Sequence, residues 1–420
     1  MRLVQKRIQE AFDLISVDRI YRRIEQLGKI GGNSDGGVTR LAYSDAENEA
    51  FAYVRKLLSD EYVVEEDSVG NLFATRDPDT DRSIYTGSHL DTVFNGGRLD
   101  GALGVICSLE AVDAVYESDA TVAYPPTLAM LRAEESARFG HHTVGSRASL
   151  GTLGVDAFSA VDQNGMPLWR AIQSAGFRPK NLSEPSTCSD RIAAFLEVHI
   201  EQGRKLEETD TDVGVVSSIR GTVRHRFTVT GDYDHSGATP MPLRRDALAA
   251  ASDMIVTIQD IVEDAAMAGD IVGTVGRIDS KDGAINKVCG EVKFPLDLRS
   301  SNVEYRDTVE STIVDEIKRI ADVREVTVES ELIDRTMPVV LDTEIVSSLQ
   351  SAAGSVETQY RRMPSGGGHD AMNFQEVGIP TGILFVPSID GVSHHPDEQT
   401  TRKGIHDATR TLASTLIEYE

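Results

Sequence analysis

Residues 83–115 read SIYTGSHLDTVFNGGRLDGALGVICSLEAVDAV, and three parts of the stretch fit together. SIYTGS is a strand-like run that closes on polar residues. Glycines next allow sharp turns around His89, Asp91 and Asp100. From 103 to 115 apolar groups recur at helical spacing, so Asp100 sits where a loop enters a helix. Strand, polar loop and helix in that order predict an α/β sheet with a site at a strand end.

The same texture recurs outward. TLAMLRA (127–133) and AAFLEVHIE (193–201) are further strand-like runs, and PTGILFVPS (380–388) is another. TEIVSSLQSAAGS (343–355) reads as a helix and residues 400–420 as a closing amphipathic helix. Between about 215 and 331 the pattern changes to VRHRFTVTG, DALAAASDMIVTIQDIV, GTVGRI, EVKFPLDLRS, YRDTVESTIVDEIKRIA and VREVTVESEL. This β-α-β-β-α-β order is the ferredoxin-like split arrangement. Two domains are expected, 1–214 plus 332–420 and an insert at 215–331, as 420 residues permit.

Composition narrows the function. A formal charge of −25 excludes a phosphate-backbone binder, which needs clustered Lys and Arg. No apolar run is long enough to span a membrane. The start, MRLVQKRIQEAFDLIS, reads as a folded helix and not as a secretory leader. Cys107, Cys188 and Cys289 are too few and too scattered for a disulfide framework or a thiolate metal site, so a reducing cytoplasm is the expected location. Cys107 falls on an apolar helix face and is expected in the core. Acidic residues are dispersed and Arg outnumbers Lys, a pattern that favours adaptation to high salt over an ordinary acidic surface.

Metal-type residues follow each apolar strand. His89 and Asp100 suit zinc or a similar divalent ion, and Asp91 is placed to accept the second N–H of the His89 ring. In LRAEESARFG the neighbours Glu134 and Glu135 point apart if extended, so one can bind metal while the other reaches a water. His199 closes FLEVHIEQG, and His394 lies in FVPSIDGVSHHPDE. Each alone reads as structural or as surface, but together they converge where α/β sheets build sites.

SHLDT, DGALGV, EESARFG, FLEVHIEQG, DHSGATPM, GTVGRI, NKVCG, DLR, SGGGHDAM and FVPSIDGVSHHP occur in the order found in the hydantoinase/carbamoylase family of M20-type metallohydrolases, which the chain resembles from about residue 80 to 400. The resemblance implies a dimetal catalytic domain and a smaller lid and dimerisation domain in a homodimer. His89 and His199 would hold one metal, Glu135 and His394 the other, with Asp100 bridging and Glu134 as base. The metals would be two divalent ions per subunit: zinc, manganese, cobalt or nickel. Gln202, His235, Asn286, Arg299, Gly367 and His369 match positions near substrate, with His235 stabilising the oxyanion from the lid and Asn286 and Arg299 holding a carboxylate. His395, Lys287 and Cys289 depart from the family pattern; register places the ligand at His394. The expected reaction is hydrolysis of the ureido C–N bond of an N-carbamoyl-L-amino acid, a small anionic substrate, to amino acid, ammonia and carbon dioxide. An allantoate amidohydrolase is the alternative, followed by an aminoacylase or peptidase-like amidase and a silent binding protein.

Overall fold

The computed structural model describes residues 2–178 and 189–420; Cys188 lies outside the described residues. The chain divides into two compact units, Met1–Ser217 with Leu341–Glu420, and Ser218–Val340.

The first unit is built on a mixed sheet. Its centre is four parallel strands in the order Pro126–Leu131, Ser83–His89, Ile192–Ile200 and Thr381–Val386. Antiparallel strands flank them: Leu72–Thr75 and Val63–Glu66 on one side, Val213–Ile219 on the other. Three of the four central strands are buried along their whole length, as expected of parallel strands covered on both faces. In register, His89 lies opposite Leu131 and His199 opposite Phe385, so neighbouring strands finish at nearly the same level. That alignment gathers the loops at one edge, where α/β sheets hold ligands.

The helix Ala102–Glu117 packs on strands Ser83–His89 and Ile192–Ile200 and against the helices Val17–Lys29 and Arg402–Glu418. Being apolar on nearly every side, it is interior and not amphipathic. Leu103, Val105, Ile106, Leu109 and Val112 are fully buried, each such side chain stabilising the fold by about 1.5–3 kcal/mol. Cys107 lies in this core, and burial pushes its thiol up to about 12. Glu110, a charged residue this helix buries completely, is paired with Arg19 and Arg23 at 2.7 and 3.1 Å.

The closing helix, expected to be amphipathic, is buried around most of its circumference from Gly404 to Ile417. Its polar residues can be hidden because their hydroxyls return to the backbone one turn earlier: Thr409 to Ile405, Thr411 to Asp407 and Thr415 to Thr411, at 2.7–2.8 Å.

The second unit is an antiparallel sheet with two helices. Gly221–Thr230 pairs with Glu291–Ser300 and with Thr327–Arg335, and Glu291–Ser300 carries Val272–Thr274 and Asp279–Ser280 on its other edge. The helices Ala247–Ala268 and Val303–Val323 cover one face, where Phe227, Val292, Phe294 and Leu298 meet Met254, Ile258, Ile313 and Ile317. Of the strand read at GTVGRI only Gly273 and Thr274 are in a strand; residues 275–278 are irregular and lead to the short pairing at Asp279–Ser280. The outer strand continues to Arg335, beyond the boundary at 331, and the compact unit ends at Val340. A short ladder pairs His235 with Lys287.

Candidate metal centre

Each central strand delivers one part of the site at its carboxyl end. His89 is the last residue of its strand, His199 the penultimate residue of the next, Glu134 and Glu135 follow Leu131, and His394 follows Val386 by a loop. Asp100 lies between them, two residues before the helix Ala102–Glu117.

The two oxygens of Asp100 face different partners. Its Oδ1 is 3.5 Å from His89 Nε2 and 3.2 Å from His199 Nε2. Its Oδ2 is 3.3 Å from His394 Nε2, which is also 3.3 Å from Glu135 Oε1. Two donor groups result, His89–Asp100–His199 and Asp100–Glu135–His394, sharing one carboxylate, with the ligand atoms of each within 4.8 Å of one another. Glu134 and Glu135 diverge: Glu134 Oε2 is 3.9 Å from His89 Nε2, while Glu135 faces His394.

The rings are oriented from behind. His89 Nδ1 lies 3.1 Å from the Asp91 carbonyl oxygen and 3.3 Å from its Oδ1, and His199 Nδ1 is 3.0 Å from the Ile200 carbonyl. A proton kept on Nδ1 leaves Nε2 as the donor atom facing Asp100. Asp91 does more than meet the ring, because its carboxylate also accepts the backbone N–H of Glu134 and of Glu135, both at 3.0 Å.

Charge in this pocket is unbalanced. Asp91, Asp100 and Glu134 are buried and Glu135 nearly so, and the ion pairs around them are made by histidines. Burial pulls the His89 imidazole down, but the Asp100 and Asp91 carboxylates outweigh it and hold it well above its usual value. Burial also pushes Glu134 far up, reinforced by Glu135, Asp370 and Asp91 and opposed by His89. Asp100 is held well below the usual carboxylate range because three histidines outweigh its desolvation. Buried carboxylates gathered around imidazoles match the oxygen and nitrogen preference of zinc-like divalent ions, whose charge would offset the cost of burial.

The other expected residues fall into two sets. Gln202 donates from Nε2 to Asp100 Oδ2 at 2.7 Å, and a Cβ on Gly367 would lie 3.0 Å from Gln202 Oε1. The His369 ring centroid is 4.6 Å from that of His199, and its Nε2 is 2.9 Å from Ser365 Oγ. Burial, with His199 beside it, drives the His369 imidazole well below its usual value. His235, Asn286 and Arg299 belong to the second unit. There, Ser236 N–H donates to the Asn286 carbonyl at 3.0 Å, and Arg299 clasps Asp297 at 2.8 and 3.0 Å. His395 turns aside: its Nδ1 accepts the Asp397 N–H at 3.2 Å within its own loop.

Glu398 escaped the sequence reading. It is 2% exposed, and one oxygen accepts the N–H groups of Leu99 and Asp100 at 2.8 and 3.0 Å, fixing the backbone that carries the shared carboxylate. Its spacing four residues after His394 was the available signal.

A mixed α/β sheet that gathers His and carboxylate donors beyond the carboxyl ends of its parallel strands defines a candidate divalent-metal site. The family model described as peptidase family M20/M25/M40 matches residues 85–418, and the chain belongs to that family. It is 36% identical over 407 residues to an N-carbamoyl-L-amino acid amidohydrolase of Geobacillus stearothermophilus, covering 96% of this chain and 98% of the relative. It is 32% identical over 399 residues to the allantoate amidohydrolase of Escherichia coli, covering 93% and 95%. A crystal structure of a hydantoinase/carbamoylase family amidase from Burkholderia multivorans superposes with a TM-score of 0.88 at 30% identity, covering 96% and 97%. The protein is an amidohydrolase of the hydantoinase/carbamoylase branch, acting on carbon–nitrogen bonds other than peptide bonds.

Proposed function

We propose that the protein hydrolyses the ureido C–N bond of an N-carbamoyl-L-amino acid, releasing the amino acid, ammonia and carbon dioxide. The observation that carries this reading is the pair of donor groups sharing Asp100, with Glu134 beside them on the same loop as Glu135. In it, His89, His199 and Asp100 would hold one divalent ion and Asp100, Glu135 and His394 the other. Zinc, manganese, cobalt and nickel all suit the donor set. When bound, two such ions would supply the positive charge that lowers the proton affinity of a water and polarises the carbamoyl oxygen.

The chain's own residues do the rest. Glu134 takes the proton of the attacking water and passes it to the departing nitrogen, a role suited to a carboxyl whose proton affinity is raised by burial. Gln202 orients the shared carboxylate through its 2.7 Å hydrogen bond. His235 is assigned the oxyanion contact, and Asn286 and Arg299 the substrate carboxylate, on the strength of family membership; Arg299→Met should then raise KM about tenfold or more, as expected for a lost charge-assisted pair. The homodimer is likewise proposed from the family.

The test is release of ammonia or free amine from a panel of N-carbamoyl-L-amino acids, N-carbamoyl-β-alanine, allantoate and N-acetyl amino acids, with and without chelator. Chelator-sensitive turnover of an N-carbamoyl-L-amino acid supports the reading. Turnover of allantoate alone moves the protein to the other named branch, a reading that the Escherichia coli relative favours. Glu134→Gln should retain metal and lose at least about a hundredfold in kcat; near-normal turnover would remove Glu134 as the base.

A further inference from the structure

Glu47 is fully buried, yet no part of the mechanism above uses it. It stands in the first turn of the helix Asp45–Arg55, whose N-cap Ser44 accepts the Glu47 N–H at 3.2 Å. A Glu at this position would ordinarily curl back to close the helix end. Here one oxygen accepts from Arg132 Nη1 at 2.8 Å and from the Tyr43 N–H at 2.6 Å, and the other accepts the N–H of Ala133 at 3.2 Å.

Ala133 immediately precedes Glu134 and Glu135 and holds φ at +54°, a left-handed conformation that an L-residue keeps only when its surroundings impose it. The surroundings do so completely. Three consecutive amides, of Ala133, Glu134 and Glu135, are accepted by Glu47, Asp91 and Asp91. Three consecutive carbonyls, of Arg132, Ala133 and Glu134, accept the N–H groups of Gly145, Val144 and Thr143 at 2.9, 2.9 and 2.7 Å. Arg132 is itself stacked on Phe51, with its guanidinium carbon 3.8 Å from the ring centroid. Glu47 thus holds both the strained residue and the guanidinium of its neighbour Arg132.

We propose that Glu47 is a positioning residue for the catalytic base: by fixing the Ala133 amide it sets the backbone turn that sends Glu134 and Glu135 to opposite halves of the site. This rests on the assignment of Glu134 above. In Glu47→Gln the amide oxygen is best used facing two donors, Arg132 and Tyr43, which turns the NH2 toward the Ala133 N–H. The substitution therefore keeps the hydrogen bonds to Arg132 and Tyr43, removes the charge facing Arg132, and releases the turn. Replacing Ala133 by Gly lets the backbone keep its positive φ without steric cost, so Ala133→Gly should compensate for a lost grip on this turn and not for a lost ion pair.

The experiment measures kcat, KM and bound metal for the metal-loaded wild type, Glu134→Gln, Glu47→Gln and Glu47→Gln with Ala133→Gly. Glu47→Gln should lower kcat about 10–100-fold, as losses of supporting residues do, with KM within about twofold and metal content unchanged; adding Ala133→Gly should return several-fold of the lost kcat. Wild-type kcat in Glu47→Gln, beside a dead Glu134→Gln, overturns the positioning role alone. So does a loss of kcat that tracks metal content and is not relieved by Ala133→Gly, which marks Glu47 as a core ion pair. If Glu47→Gln does not fold, Glu47→Asp, which keeps the charge for Arg132 but is too short for Ala133, carries the same comparison. An inactive wild type or an active Glu134→Gln removes the functional reading first, and this inference with it.

Discussion

Gly101 shows how much of the site depends on a residue with no side chain. It adopts φ +64° and ψ −53° and closes a three-residue turn in which the Ala102 N–H donates to the Asp100 carbonyl at 2.6 Å. A Cβ there would lie 2.4 Å from the His89 ring. Gly101→Ala should cost about 1–3 kcal/mol in backbone strain and displace His89, so the purified protein should lose bound metal; full metal content would show that the ring can yield. The adjacent histidines give a cleaner contrast. His394 faces Asp100 and Glu135 while His395 is occupied by Asp397, so His394→Ala should lose metal and activity and His395→Ala should keep both within about twofold, in line with ordinary surface substitutions. Equal losses would mean that the loop, and not one ring, is what matters.

Among the elements, the helix Arg402–Glu418 is the one whose burial the sequence pattern understated. Its Asp407 is bonded by Thr358 Oγ1 and by Lys403 Nζ, both at 2.8 Å. Burial raises this carboxyl, but His406, Lys403 and Thr358 outweigh burial and bring it to about 2. A carboxylate whose proton affinity is depressed by folding adds stability above its unfolded value, about 3.9, and loses that contribution as pH falls toward 2. Lys403 is 61% exposed, so solvent screening reduces the effect to about 1 kcal/mol. Asp407→Asn should therefore lower Tm at pH 7 and make little difference near pH 2; a penalty that persists at pH 2 would trace to packing instead. The outer strand Thr327–Arg335 is the opposite case. It lies at a sheet edge and most of its residues are exposed, so it lacks the alternation that marks a strand end in sequence, and its true limit fell beyond the expected one.

The whole molecule carries −25 in 420 residues, and its surface carboxylates repel one another at low ionic strength. Raising salt shortens the screening length from about 10 Å at 0.1 M to about 3 Å at 1 M. Tm should rise by several degrees over that range if self-repulsion dominates, and should stay flat or fall if the many exposed Arg–carboxylate pairs, such as Arg226–Glu331 and Arg324–Asp253, contribute more. Thermal unfolding across a KCl series decides between a salt-adapted and an ordinary acidic surface. Among the described residues, no helix is long and apolar enough to cross a membrane.

The sequence by itself determined the α/β class, the order of the three long strands and two long helices of the insert, and the positions of the metal-type residues. Apolar runs dictate strands, and a His or carboxylate that interrupts the pattern at the end of a run is visible without coordinates. Only the tertiary structure decided which atoms meet. Three strands far apart in the chain, ending at His89, Ile200 and Val386, finish side by side because parallel pairing brings them into register. The division of Asp100 between two donor groups follows from that meeting. Glu47 and Glu398 were hidden for the same reason: a local pattern records what a residue needs from its neighbours in sequence, whereas their partners, Ala133 and Asp100, are reached only when the chain folds back on itself.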